Sequence, residues 1–211
     1  MGIQIADVAG GSLHAVIGIL AAVVERQTSG LGQYIDISMT DCVVGLNSMA
    51  ASASLAGGQL QQAETEALNG GTFYDYYETS DGRYLSVGSL EPQFMSGLAM
   101  ALELPILLEK GASFDLDDRQ AVKQAIADKI KSKTLNAWKK LFSSLDVCVE
   151  PVLKLEEALD SELSSEREWV AQVPLKLGSP ETEAQLAFPI KFSRSNAEYK
   201  FVGQALDEGE W

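Results

Sequence analysis

The sequence predicts an α/β fold, and three local patterns carry that expectation. Val122, Ile126 and Ile130 recur at i, i+4 and i+8 within residues 117–131, one face of an amphipathic helix. An aromatic run at 72–79 and an alternating run at 83–88 flank Asp81-Gly82, the pattern of a β-hairpin with a two-residue type I′ turn. Residues 33–39 alternate through Tyr34, Ile35, Asp36 and Ile37, and their β-branched content favours a strand.

The remaining elements follow in order. Gly10-Gly11-Ser12 reads as a turn into a helix over 12–27, which ends at Thr28-Ser29-Gly30. The apolar run at 13–24 is shorter than the roughly 20 residues that span a bilayer, so it reads as a helix buried on most sides. Asp41 is placed to cap a small-residue helix over 42–56, and Gly57-Gly58 stops it before a polar linker at 59–67. Glu91-Pro92 opens a helix with Pro at its first position and Phe94, Leu98 and Leu102 on its apolar face. Thr134 caps a short helix bearing Trp138, Leu141, Phe142 and Leu145. Beyond Pro151 an extended stretch leads to one acidic helix, and 171–211 reads as strands and loops. Domain boundaries are expected near residues 66 and 150. The chain opens inside an element, with Ile3-Gln4-Ile5-Ala6 following Met1-Gly2 directly, which reads as a truncated piece.

Composition limits the partners. With 46% apolar residues, the 211-residue chain can bury a core. Its net charge of −14 is spread along the chain and argues against a nucleic-acid partner or an anionic membrane surface. Cys42 and Cys148 stand far apart without CxxC spacing, which fits a reducing cytoplasm. One histidine leaves too few nitrogen and sulfur ligands for a zinc centre, so no metal is expected.

Two carboxylates are candidates for chemistry. Asp7 precedes the Gly-Gly pair, where a carboxylate either caps the helix or faces a ligand. Gly10 and Gly11 carry no side chain, so a ligand could approach their backbone closely. Glu91 follows a strand and begins a helix, where the dipole favours a carboxylate whether or not it does chemistry. His14 lies in the apolar helix and reads as a packed histidine. No Gly-x-Ser-x-Gly elbow surrounds a serine, and Tyr74, Tyr76 and Tyr77 read as hairpin aromatics.

Several stretches, in order, resemble family III CoA-transferases (the CaiB/BaiF family), and within it the α-methylacyl-CoA racemases. They are Ala6-Asp7-Val8-Ala9-Gly10-Gly11-Ser12, Glu25-Arg26-Gln27-Thr28-Ser29-Gly30-Leu31-Gly32-Gln33, Asp81-Gly82-Arg83-Tyr84, Leu90-Glu91-Pro92-Gln93-Phe94 and Asp146-Val147-Cys148-Val149-Glu150-Pro151. Residues 175–211 match poorly. The resemblance implies part of a Rossmann-like large domain in residues 1–65, a small α+β domain with the hairpin in 66–150, and a return to the large domain in 151–211. It implies an interlocked homodimer and an acyl-CoA thioester as substrate, with CoA entering as part of that substrate and no separate cofactor.

The same resemblance implies roles. At the position of Asp7 the family carries its catalytic carboxylate, an acid/base group in racemases and a nucleophile in transferases. Glu91, in its Glu-Pro-Gln-Phe context, falls on a supporting glutamate of the racemases and favours racemisation over transfer. The family's second proton carrier, a histidine upstream of Asp7, has no match, and His14 lies downstream. Three functions are therefore expected in this order: acyl-CoA racemisation through an enolate, CoA transfer through an aspartyl intermediate, and a catalytically silent fragment that acts by pairing.

Overall fold

The computed structural model describes residues 2–58, 62, 65–68 and 70–203, in which helices alternate with small antiparallel sheets. The chain divides into two compact units, Met1–Thr72 and Phe73–Trp211. Residues 204–211 and most of the polar linker expected at 59–67 lie outside the described residues.

In the first unit one helical run covers Ile5–Ser29. Its opening part, Ile5–Leu13, is π-helical, and α1 (His14–Ser29) continues it. Gly30 closes α1 at φ 75°, where glycine carries no Cβ penalty, and returns its N–H to the Arg26 carbonyl. The turn expected at Gly10-Gly11 is not formed, and the helix starts before Ser12. The reason is packing against α2 (Met39–Leu46). A Cβ on Gly10 would stand 3.0 Å from Cγ2 of Val43 and 3.3 Å from the Met39 carbonyl oxygen. One on Gly11 would stand 3.4 Å from Cγ of Met39. The glycines let two helices approach closely without breaking the first.

Residues 33–38 keep the predicted alternation but form no strand. Ile35 and Ile37 are half-buried against Gly18, while Tyr34 and Asp36 are exposed. Among the described residues no neighbouring strand completes a hydrogen-bond ladder with them, and a strand needs that ladder. The single helix expected over 42–56 is two, α2 and α3 (Ser48–Leu55), broken at Asn47. Ser38 caps α2, because its backbone is extended at φ −88° and ψ 122° and its hydroxyl accepts the Asp41 N–H at 3.3 Å. Asp41 thus sits inside the first turn, where its charge suits the helix dipole.

The expectation that the apolar helix is buried on most sides is corrected. Ile17, Leu20 and Val24 are 61%, 58% and 66% exposed, because no described element of this unit lies over them. The helix is also longer than the apolar run suggested. At 25 residues, Ile5–Ser29 is long and apolar enough to cross a membrane, by length and composition.

The second unit is built around one apolar core. β1 (Asp75–Glu78), β2 (Tyr84–Val87) and β3 (Val149–Pro151) form an antiparallel sheet in that order. The helices α4 (Pro92–Leu102), α5 (Ile106–Lys110), α6 (Leu116–Ile130) and α7 (Leu135–Phe142) bury Leu98, Leu102, Leu107, Val122, Ile126, Ile130 and Trp138. Pro92 opens α4 and the Thr134 hydroxyl caps α7, as predicted. Trp138 satisfies its indole N–H on the Ile130 carbonyl at 2.8 Å and stacks on Phe142. Leu145 from the predicted apolar face is 44% exposed, because it lies beyond the end of α7.

The hairpin is present, but its turn differs from type I′. Thr79 pairs with Arg83 through a 2.8 Å bond, leaving the three-residue loop Ser80-Asp81-Gly82 with Gly82 at φ 71°. Type I′ needs positive φ at both central residues, and Asp81 does not adopt it. Its carboxylate instead accepts the Thr79 hydroxyl at 2.6 Å and the Leu135 N–H at 3.0 Å, tying the loop to α7. The boundary expected near 150 falls inside β3, which hydrogen-bonds to β2. The acidic helix beyond it is two short ones, α8 (Leu155–Leu159) and α9 (Glu162–Arg167), because Ser161 caps a fresh start. β4 (Val170–Pro174) and β5 (Thr182–Leu186) form a separate hairpin.

Candidate active site

Asp7 lies in the first turn of the π-helical segment with its side chain exposed. A π-helical backbone bonds each carbonyl to a group five residues on, and such segments are rare and frequent at functional sites. Here side chains support the wide turn. The Ser12 hydroxyl donates to the Asp7 carbonyl oxygen at 3.2 Å, and His14 Nδ1 meets the Ala9 carbonyl oxygen at 2.6 Å, both five residues apart. A carbonyl only accepts, so His14 carries its proton on Nδ1 and serves the backbone that holds Asp7. Gly10, buried against Val43 and Met39, anchors the same segment. α2 lies against both glycines, with Gly10 buried and Gly11 half-buried.

Glu91 stands at the corner between β2 and α4, exposed, with φ −67° and ψ 141°. It occupies the N-cap position, yet its carboxylate makes no cap hydrogen bond. Its charge still lies at the positive end of the α4 dipole. The corner beneath it is rigid. Ser89, fully buried, donates its hydroxyl to the Val147 carbonyl oxygen. The Gly88 N–H reaches the Cys148 carbonyl at 2.9 Å, and Leu90 packs on the core. The Glu91 carbonyl starts α4 by accepting the Met95 N–H at 2.9 Å.

Three neighbours of Glu91, namely Gly88, Ser89 and Cys148, were not candidates for the site on sequence. The signal that could have found Ser89 is its place between Gly88 and a helix-opening Pro92. A Cβ on Gly88 would stand 3.2 Å from Cε2 of Tyr74, so the glycine makes room for that ring. Cys148 adopts φ 52° and is exposed, and its thiol is pushed above its ordinary value, first by partial desolvation of the sulfur and then by the negative charge of Glu91, Asp146 and Glu150. Such a thiol is a poor nucleophile. Of the hairpin tyrosines, Tyr77 is a core residue whose hydroxyl donates to the Phe73 carbonyl at 2.8 Å, and burial pushes its ionisation upward. Asp7 and Glu91 belong to different units, and each is positioned by the packing of its own unit.

Comparison with known proteins gives a consistent result. The family model for CoA-transferase family III matches residues 1–204. An α-methylacyl-CoA racemase of Mus musculus is 37% identical over 166 residues, which is 77% of this chain and 43% of the relative. The α-methylacyl-CoA racemase of Homo sapiens is 34% identical over 164 residues, with the same two shares. Among solved structures, Rv3272 of M. tuberculosis superposes with a TM-score of 0.73 at 18% identity, over 95% of this chain and 52% of that one. A CAIB/BAIF family protein of Brucella suis gives 0.72 at 20% identity, over 99% and 54%. The chain thus spans about half the length of the proteins it resembles.

Proposed function

The chain belongs to CoA-transferase family III, and from that premise we propose that it acts as an acyl-CoA racemase, with Asp7 as an acid/base carboxylate and Glu91 as its supporting residue. The observation that carries this reading is the Glu91 carboxylate, which makes no cap hydrogen bond and stands on a corner tied down by the buried Ser89 hydroxyl. The two racemase relatives, at 37% and 34% identity, support the same choice.

In this reaction a carboxylate removes the proton from the α-carbon of an acyl-CoA thioester. The C–H electron pair moves into the thioester carbonyl and gives a planar enolate. A proton carrier on the opposite face then returns a proton and inverts the centre. The enolate oxygen needs a hydrogen-bond donor, because charge develops there in the transition state. Asp7 supplies one of the two carriers in this proposal. CoA is part of the substrate, and the resemblance implies a pair of interlocked chains.

Transfer is the competing reading, because in family transferases the same aspartate attacks the thioester carbonyl and releases CoA thiolate. The two separate on one experiment. The chain is incubated with a 2-methylacyl-CoA in deuterated water, alone and joined to the part of the mouse relative that it does not span. Deuterium entering the α-carbon in either form without an acceptor acid, and lost in Asp7→Asn, supports racemisation. Exchange in neither form, or a hydroxylamine-sensitive acyl adduct on Asp7 that needs an acceptor acid to turn over, overturns it.

A further inference from the structure

The one histidine of the chain is engaged with backbone. His14 begins α1, and helical side chains lean back toward the N-terminus of their helix. Its imidazole therefore lies over the preceding wide turn, where Nδ1 meets the Ala9 carbonyl oxygen at 2.6 Å. Ser12 also reaches back five residues, to the Asp7 carbonyl oxygen at 3.2 Å. In an ordinary α-helix a serine hydroxyl returns to the carbonyl three or four residues back. A reach of five matches the π-helical spacing of Ile5–Leu13. Of the two bonds, that of His14 is the shorter and the less exposed.

We infer that His14 is a positioning residue for the proposed reaction: its Nδ1–H holds the wide turn in the register that aims Asp7, and its imidazole carries no proton of the reaction. The inference rests on Asp7 as the acid/base carboxylate and adds the residue that aims it. Register is the first ground. A π-helix closes each hydrogen bond over one residue more than an α-helix, and an α-helix advances by about 100° and 1.5 Å per residue. If the segment closed as α-helix while α1 stayed in place, Asp7 would turn by about 100° around the axis and move by about 1.5 Å. A displacement of that size takes a carboxylate out of reach of an α-proton. The second ground is that the α ladder is the common alternative for the same backbone and π-helix the rare one, so the turn needs support from outside its own ladder. The third is the tautomer. With Nδ1–H given to a carbonyl, His14 acts through a donor that an amide can replace.

The test compares His14→Phe, which keeps a ring but loses the donor, with His14→Asn, whose side-chain N–H can take the place of Nδ1–H but cannot carry a proton. Two readouts are taken on the full chain at equal folded fraction. Nuclear magnetic resonance follows the turn through contacts between the α-proton of Asp7 and the amide protons of Gly11 and Ser12, four and five residues on. Deuterium entry into a 2-methylacyl-CoA follows the reaction, for the chain alone and joined to the part of the mouse relative that it does not span. In His14→Phe the contacts are expected to shift from Ser12 toward Gly11, with kcat lowered by about tenfold or more and KM little changed. His14→Asn is expected to restore both the contacts and kcat. An unshifted turn or an undiminished kcat in His14→Phe, with Asp7→Asn inactive, would overturn this inference alone. Loss of kcat in His14→Asn with its turn intact would overturn it in favour of His14 as a proton carrier. Exchange in no form, or exchange undiminished in Asp7→Asn, would overturn the proposed function and this inference with it.

Discussion

The buried hydroxyl of Ser89 donates a hydrogen bond to the carbonyl oxygen of Val147, locking the end of β2 to the residue that precedes Cys148. That bond holds the corner from which Glu91 projects. Ser89→Ala removes the donor and leaves the Val147 carbonyl buried and unpaired, at a cost of about 1–3 kcal/mol. Urea unfolding should show that loss. If Glu91 acts from a fixed position, α-proton exchange falls in Ser89→Ala by more than the unfolded fraction accounts for.

Gly97 lies inside α4, where alanine would ordinarily stabilise the helix by about 1 kcal/mol. Here a Cβ would stand 2.6 Å from Cγ1 of Val147, a stiff β-branched side chain in the core. Overpacking of this kind costs about 1–3 kcal/mol, so Gly97→Ala should lower the melting temperature. Adding Val147→Ala should recover part of that loss, because it removes the clashing methyl.

Cys148 reports on the charge of Glu91. Partial desolvation is the first cause of its raised thiol ionisation, with Glu91, Asp146 and Glu150 adding to it. The pH profile of iodoacetamide alkylation at Cys148, measured in Cys42→Ser, should have its midpoint above the ordinary thiol value of 9.0. Glu91→Gln should move that midpoint down without bringing it to the ordinary value, because the desolvation and the charges of Asp146 and Glu150 remain.

Arg83 holds Glu157 in a two-point ion pair at 2.7 and 3.1 Å, joining the residue before β2 to α8. The hydrogen bonds from Arg83 keep the Glu157 carboxyl below its ordinary value of 4.5. A carboxyl lowered in the folded state contributes stability that is fully present above its unfolded value and is lost as pH falls through the lowered folded value. Glu157→Gln should therefore flatten the acid side of the stability profile below about pH 4.5, compared by thermal melts. The effect is small, because the pair is half-exposed and screened by salt.

Much of this was legible in the sequence where local chemistry decides structure. Pro92, Thr134 and the Val122–Ile126–Ile130 spacing each act within one or two helical turns, and each stands as predicted. The misreadings share a cause. Gly10-Gly11 looked like a turn because glycine usually marks one, but the pressure comes from Val43 and Met39, about thirty residues away. Residues 33–38 alternate like a strand, yet strand formation depends on a neighbour that local sequence does not name. Asp81 looked like half of a type I′ turn, and its carboxylate is drawn to Leu135 on α7. Asp7 and Glu91 were singled out through ordered motifs, whereas Ser89 acts through a partner 58 positions away.

The most direct measurement of the central claim is α-proton exchange by Asp7→Asn beside the unchanged chain, each alone and joined to the part of the racemase fold that it does not span. Mass spectrometry of a 2-methylacyl-CoA recovered from deuterated water reads the result. Deuterium at the α-carbon in the Asp7 chain, and none in Asp7→Asn at equal thermal stability, is the expected outcome. Exchange undiminished in Asp7→Asn would show that this carboxylate is not the acid/base group.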